Sequence, residues 1–334
     1  MRGRAFLQFG AVALAVAGVT LAIDPIAEYF RKGSMRPGWA RFRPPHETSA
    51  LALEGQWLWS GGRDGLGRFD WKKARLAALP SGAPHLERVR DLLLTRGGDL
   101  WAAHLAGVER RAAGKWTRFD SAVGPAAALI ERRNGEIWAG GEQGLARWNG
   151  ARFELVRDSV SLGFEGVDAL FEDRAGALWV ASAHPTRGGV GRLAPDGAWR
   201  DFTHAPGLAH PSVSSFFEDP QGGLWFASGF GHQGCACRLF EDQWSRLGKT
   251  DGLVSNRART IFEDRRGRMW VGTETEGTSV RVGAKWLALT PQEGMTGWEV
   301  KRFAETPDGA VWLATEDGVT RIDSALADIT GGTQ

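Results

Sequence analysis

Seven tryptophans, Trp59, Trp101, Trp138, Trp179, Trp225, Trp270 and Trp312, recur at intervals of 42, 37, 41, 46, 45 and 42 residues. A period of that size limits a chain to tandem copies of one supersecondary unit. Three copies share the form F-E-D-x-x-G-x-[LM]-W: Phe171 to Trp179, Phe217 to Trp225 and Phe262 to Trp270. Weaker copies end at Trp101, Trp138 and Trp312, and a shortened one ends at Trp59.

Each copy reads as four short strands. The first is an apolar run such as Val167 to Phe171, closed by a turn in which Asp accepts from nearby backbone N–H groups and Gly takes a positive φ. The second carries the repeat Trp, followed by small residues. A third opens on Gly, as in Gly144 to Trp148 or Gly318 to Ile322. A fourth is marked W-x-x-[FL] at Trp116, Trp199, Trp244 and Trp286. Four strands per period without helical periodicity predict an all-β chain, a seven-bladed β-propeller of four-stranded blades. The last copy lacks a fourth-strand marker, and an unused one, Trp39-Ala40-Arg41-Phe42, precedes the first. The N-terminal strand is therefore expected to complete the last blade.

Charge excludes some functions. Lys plus Arg is 41 and Asp plus Glu is 39, and without Arg2 and Arg4 the two are equal at 39, so no bulk positive field recruits nucleic acid. Arg2 and Arg4 precede an apolar run from Ala5 to Ile23 that fits a signal anchor, a transmembrane helix, or a signal peptide. Either would send the remainder out of the cytoplasm, to the periplasm, anchored to the inner membrane or secreted. The expected layout is 1–23 anchor or signal peptide, 24–37 linker, 38–323 propeller and 324–334 tail. Cys235 and Cys237 should share one face of a third strand, as two separate buried thiols, because a bridge between them would be strained.

The segment Lys249 to Asn256, running into Ile261-Phe262-Glu263-Asp264 and then Gly267 to Thr273, resembles the two-component regulator propeller repeat. Gly207-Leu208 and Gly294-Met295 repeat the pattern less fully. The resemblance implies an extracytoplasmic sensory or ligand-binding propeller. With no kinase segment after Asp323, it implies a signalling output carried by a separate histidine kinase or another envelope protein.

Candidate residues fall on one rim. All seven histidines are expected in the loops between second and third strands or between blades. The longest of those loops, Ala181 to Gly189, Thr203 to Ser212 and Ser228 to Gly234, carry His184, Arg187, His204, His210 and His232. A second group stands eleven residues before the repeat Trp: Arg90, Ala127, Asp168, Ser214, Arg259 and Lys301, with Arg302 beside the last. If these edge the central channel, its mouth is mixed but locally basic, suited to an acidic sugar, a carboxylate or a peptide. They equally fit ion pairs with Asp91, Asp168 or loop acids. Trp298 lies outside the packing markers and could stack on a ligand. No cofactor, metal motif or catalytic nucleophile is legible. The leading expectation is a binding module without catalysis. Its rivals are a polysaccharide lyase or hydrolase using the loop histidines, and an envelope assembly scaffold.

Overall fold

A computed structural model describes residues 37–43 and 45–323. The expected anchor, most of the linker and the tail lie outside the described residues. Among the described residues, twenty-eight strands, numbered β1–β28 in chain order, form seven four-stranded antiparallel sheets. The inner strands, one per blade, are β2 (Ala50–Glu54), β6 (Asp91–Leu94), β10 (Ala126–Glu131), β14 (Ala169–Glu172), β18 (Val213–Glu218), β22 (Ala258–Glu263) and β26 (Val300–Glu305). β1 (Trp39–Phe42) pairs with β28 (Gly318–Ile322), Trp39 opposite Ile322, and supplies the fourth strand of the last sheet. Among the described residues no helix is long and apolar enough to cross a membrane.

Seven buried clusters correspond to the seven contacts between neighbouring blades, and the tryptophan spacing explains them. Each repeat Trp turns toward the following blade: Trp59 packs with Leu86, Val89 and Leu100, and Trp312 with Leu58 and Phe69. The outer W-x-x-[FL] pair is offset by three residues, so in a strand of period two its members face opposite sides. Trp116 reaches back to Trp59 while Phe119 lies against Trp101 and Trp148 in the next cluster. Trp39 and Phe42 do the same for the closing blade. Trp39 joins the cluster with Trp270 and Val300, and Phe42 packs on Trp312 and Phe69. Small residues after the repeat Trp are required by close approach: a Cβ at Gly272 would stand 2.9 Å from Val300 Cβ of the next blade.

The F-E-D motif binds turns as well as strands. Asp173, Asp219 and Asp264 each accept from the Nε1–H of their own repeat Trp at 2.8, 2.8 and 2.9 Å, and from a backbone N–H across the turn. The Glu reaches sideways. Glu131, Glu172, Glu218 and Glu305 accept from the backbone N–H of Arg96, Arg133, Arg174 and Arg265 in the preceding blade, at 2.7 to 2.9 Å. The Asp thus closes its own turn, and at these four junctions the Glu staples the blade to its neighbour.

Three expectations need correction. Cys235 and Cys237 form a disulfide on β20 (Gln233–Phe240): their Cα atoms are 5.2 Å apart, within bridging reach, and both are buried against blade 4. The segment 228–234 is mostly strand, since Phe230 pairs with Gln233 around a two-residue turn at Gly231 and His232. His104 is the buried last residue of β7 (Leu100–His104) rather than a loop residue, and burial lowers its pKa.

Candidate functional site

The inner strands β10, β18, β22 and β26 share a register break at the same height, where one extra residue is accommodated: Ala127, Ser214, Arg259 and Lys301. A bulge re-aims the side chain it carries, and here the side chains turn into the channel. In the other three blades the equivalent residue stands immediately before the strand. Ser49, Arg90 and Asp168 donate their backbone N–H to Gly61, Ala103 and Ala181 at 2.8 to 2.9 Å. One residue per blade, Ser49, Arg90, Ala127, Asp168, Ser214, Arg259 and Lys301, therefore lines a single cavity at the channel mouth, with Ala183, Ser215 and Arg302. Reading eleven residues back from each Trp finds six of these; it misses Ser49 because the first blade's turn is one residue shorter.

The ring is electrically lopsided. Blades 6, 7, 1 and 2 present Arg259, Lys301, Ser49 and Arg90, whereas blades 3, 4 and 5 present Ala127, Asp168 and Ser214. Ion pairs hold these groups in place. Arg259 Nε and Lys301 Nζ both lie 3.2 Å from Glu299, so one carboxylate serves two cations. Arg90 and Asp168 face each other at 3.7 Å from blades that are not neighbours. Deeper, Arg302 of blade 7 reaches past blade 1 to Asp91 of blade 2, its Nη2 2.6 Å from Oδ1. Asp91 also accepts from the backbone N–H of Leu92 and Leu129, at 3.0 and 2.9 Å. Burial raises the Asp91 pKa, and Arg302 and the two N–H groups oppose that rise.

A second cavity, of about 570 Å³, opens from the mouth over blades 3 and 4 and shares Arg90, Asp168, Ala183 and Arg259 with it. Beyond the shared residues it is lined by Gly141, Glu142, Glu165, Gly166, Val167, His184 and Pro185. His184 is held by its own loop: Nδ1 accepts from the Arg187 backbone N–H at 3.0 Å, and Nε2 lies 3.9 Å from Glu165. Arg187 pairs with Glu165.

The structure brings together Arg259, Lys301 and His184 around these two cavities, holds Arg187 at the lobe's edge against Glu165 and His184, and leaves the other candidates apart. His204 and His232 are exposed and line neither cavity. His210 is half-buried 6.1 Å from the Phe230 ring, its pKa lowered by that burial. Trp298 is half-buried, its backbone N–H donating to Glu316 at 2.6 Å. Among the described residues no three His, Cys, Asp or Glu side chains stand together as a metal site.

The two-component regulator propeller family model matches residues 207–230 and 252–275, which fall in blades 5 and 6. No curated protein matches the chain. Among solved structures, the extracellular domain of a hybrid two-component system from B. thetaiotaomicron is similar with a TM-score of 0.76 at 17% identity; the match covers 90% of this chain and 43% of that one. The chain thus spans less than half the length of that neighbour. Virginiamycin B lyase from Staphylococcus aureus is similar with a TM-score of 0.61 at 14% identity, covering 85% and 98% of the two chains. YCF48 bound to D1 peptide gives 0.62 at 12% identity, covering 87% and 98%. At such identities the likeness is one of fold alone. The described residues therefore form a seven-bladed ring, two of whose blades match the two-component regulator propeller model.

Proposed function

We propose that the chain is an extracytoplasmic sensory propeller, tethered through its N-terminal apolar segment, that binds a small ligand at the channel mouth and passes the signal to a separate protein. The observation that carries this reading is the ring of seven residues. In four blades the strand is bulged at the one position that turns a side chain into the channel, a device found where strands re-aim functional groups. Three of the seven are cationic, which fits a ligand carrying a carboxylate or another anionic group. The match of blades 5 and 6 to the two-component regulator propeller model, and the likeness in fold to the extracellular domain of a hybrid two-component system, support the sensory role.

The test is a thermal-shift screen of the full chain against small anions, sugar acids and peptides, repeated on Arg259→Gln/Lys301→Gln. A ligand that raises the melting temperature of the wild type and loses at least tenfold in affinity in the double variant supports the reading. A ligand that binds both proteins equally refutes the mouth as its site.

A further inference from the structure

The charge pattern narrows the ligand, and this inference rests on the mouth being the binding site. Two features distinguish the mouth from a simple anion site. The cations lie along one arc, where Glu299 is shared by Arg259 and Lys301 and leaves that arc net positive. Along the rim, a cavity of ligand size leads out of the ring over blades 3 and 4, past Ala127 and Asp168, into the lobe carrying Glu142 and Glu165. Glu165 is engaged by Arg187. Glu142 is exposed and its carboxylate makes no ion pair among the described residues. Past the four shared residues the lobe's lining contains two carboxylates and no Lys or Arg.

A polyanion such as an acidic oligosaccharide would meet the arc favourably and then set like charge against Glu142, which costs affinity. Glu142 is the carboxylate on this path without an ion pair among the described residues, Asp168 being paired with Arg90 and Glu165 with Arg187. A molecule with an anionic group at one end and a cationic group at the other meets complementary charge along the whole path. The lobe's volume lies within the range of small-molecule sites. We infer that the mouth takes a small zwitterion, a short peptide with free termini, its carboxylate on Arg259 and Lys301 and its ammonium in the lobe at Glu142.

The experiment titrates the full chain with four probes: a tripeptide pool with free termini, the same pool N-acetylated, the same pool amidated at the C-terminus, and trigalacturonate. Bound species are read by affinity selection with mass spectrometry and confirmed by calorimetry on the peptides recovered. The free peptides bind, and acetylation or amidation each weakens them by roughly tenfold, the cost of about 1.4 kcal/mol expected when one charged contact is lost. Glu142→Gln weakens the free peptides and leaves the acetylated ones unchanged, a split that a merely structural role for this exposed residue does not produce. Binding of trigalacturonate or of acetylated peptides at full strength overturns the zwitterion while keeping the mouth as a site for anions. Failure of all four probes to bind overturns both.

Discussion

The staple between blades 5 and 6 lacks its donor, and restoring it should stabilise the ring. At four other junctions the Glu that ends the inner strand accepts a backbone N–H from the residue after the turn position of the preceding blade. At this junction that residue is Pro220, which has no N–H. Glu263 is left half-buried, its pKa raised by burial and then by Asp219 and Asp264. Because its folded-state pKa exceeds the unfolded value, ionised Glu263 opposes folding at neutral pH, and the penalty fades as pH falls from the raised folded-state pKa to the ordinary carboxylate value, below which it is absent. Pro220→Ala supplies a charge-assisted hydrogen bond worth about 1.5–3 kcal/mol, against about 0.4–1 kcal/mol lost by freeing the unfolded chain. The net gain is roughly 1 kcal/mol, or about 2 °C in Tm for a domain of this size. Glu263→Gln relieves the same defect, so the double variant should gain less than the sum. Urea unfolding at neutral pH and again near pH 4 measures this: the gain from Pro220→Ala should be present at the first and lost at the second. A gain that is absent at neutral pH, equal at both, or additive with Glu263→Gln would refute the reasoning.

Three further outcomes are expected. Trp101 is the repeat Trp whose buried Nε1 has no acceptor among the described residues, because the Thr95 hydroxyl, at the place of Asp173, is engaged with the Asp99 backbone, whereas Thr306 at the same place accepts from Trp312. Thr95→Asp should supply the acceptor near Arg110, which pairs with Asp99, and raise stability by about 1 kcal/mol in denaturant titration. Arg302→Met strands Asp91 inside the channel and should cost roughly 2 kcal/mol at neutral pH, less than for a fully buried pair because Arg302 is partly exposed. That loss should shrink as the pH falls and Asp91 is protonated, and Asp91→Asn in the same chain should recover much of it, both read from unfolding curves. Trp39→Ala removes one side of the closing strand and should cost about 3–5 kcal/mol, whereas deleting residues 36–45 should open the ring, seen as a larger radius in solution scattering.

How much of this was legible in the sequence follows from which interactions repeat. The blade count, the strand order and the closing strand rest on side chains that every blade needs, so Trp and Gly recur at fixed intervals and Trp39 stands out as a marker with no blade of its own. The ring at the mouth was half legible: the interval to the repeat Trp locates Arg90, Asp168, Arg259 and Lys301, but the bulge that aims Ala127, Ser214, Arg259 and Lys301 inward leaves no residue signature. The long-range pairs were legible as to their acids, Asp91 and Asp168, but not as to which cation meets which, since Arg302 and Asp91 are joined across the channel by closure of the whole ring. The loop histidines follow no such repeat. Long loops collect polar residues regardless of use, and only His184 lines either cavity. The bridge between Cys235 and Cys237 was missed because an ideal extended strand holds alternate residues further apart than the 5.2 Å found here.

The most direct test of the ring as a recognition surface is the location of bound ligand in a crystal of the complex. Ligand density over the mouth, within contact of Arg259 and Lys301 and extending toward Glu142, is the predicted result. Density confined to the outer rim of the blades or to the opposite face, with the mouth unchanged, would contradict the account.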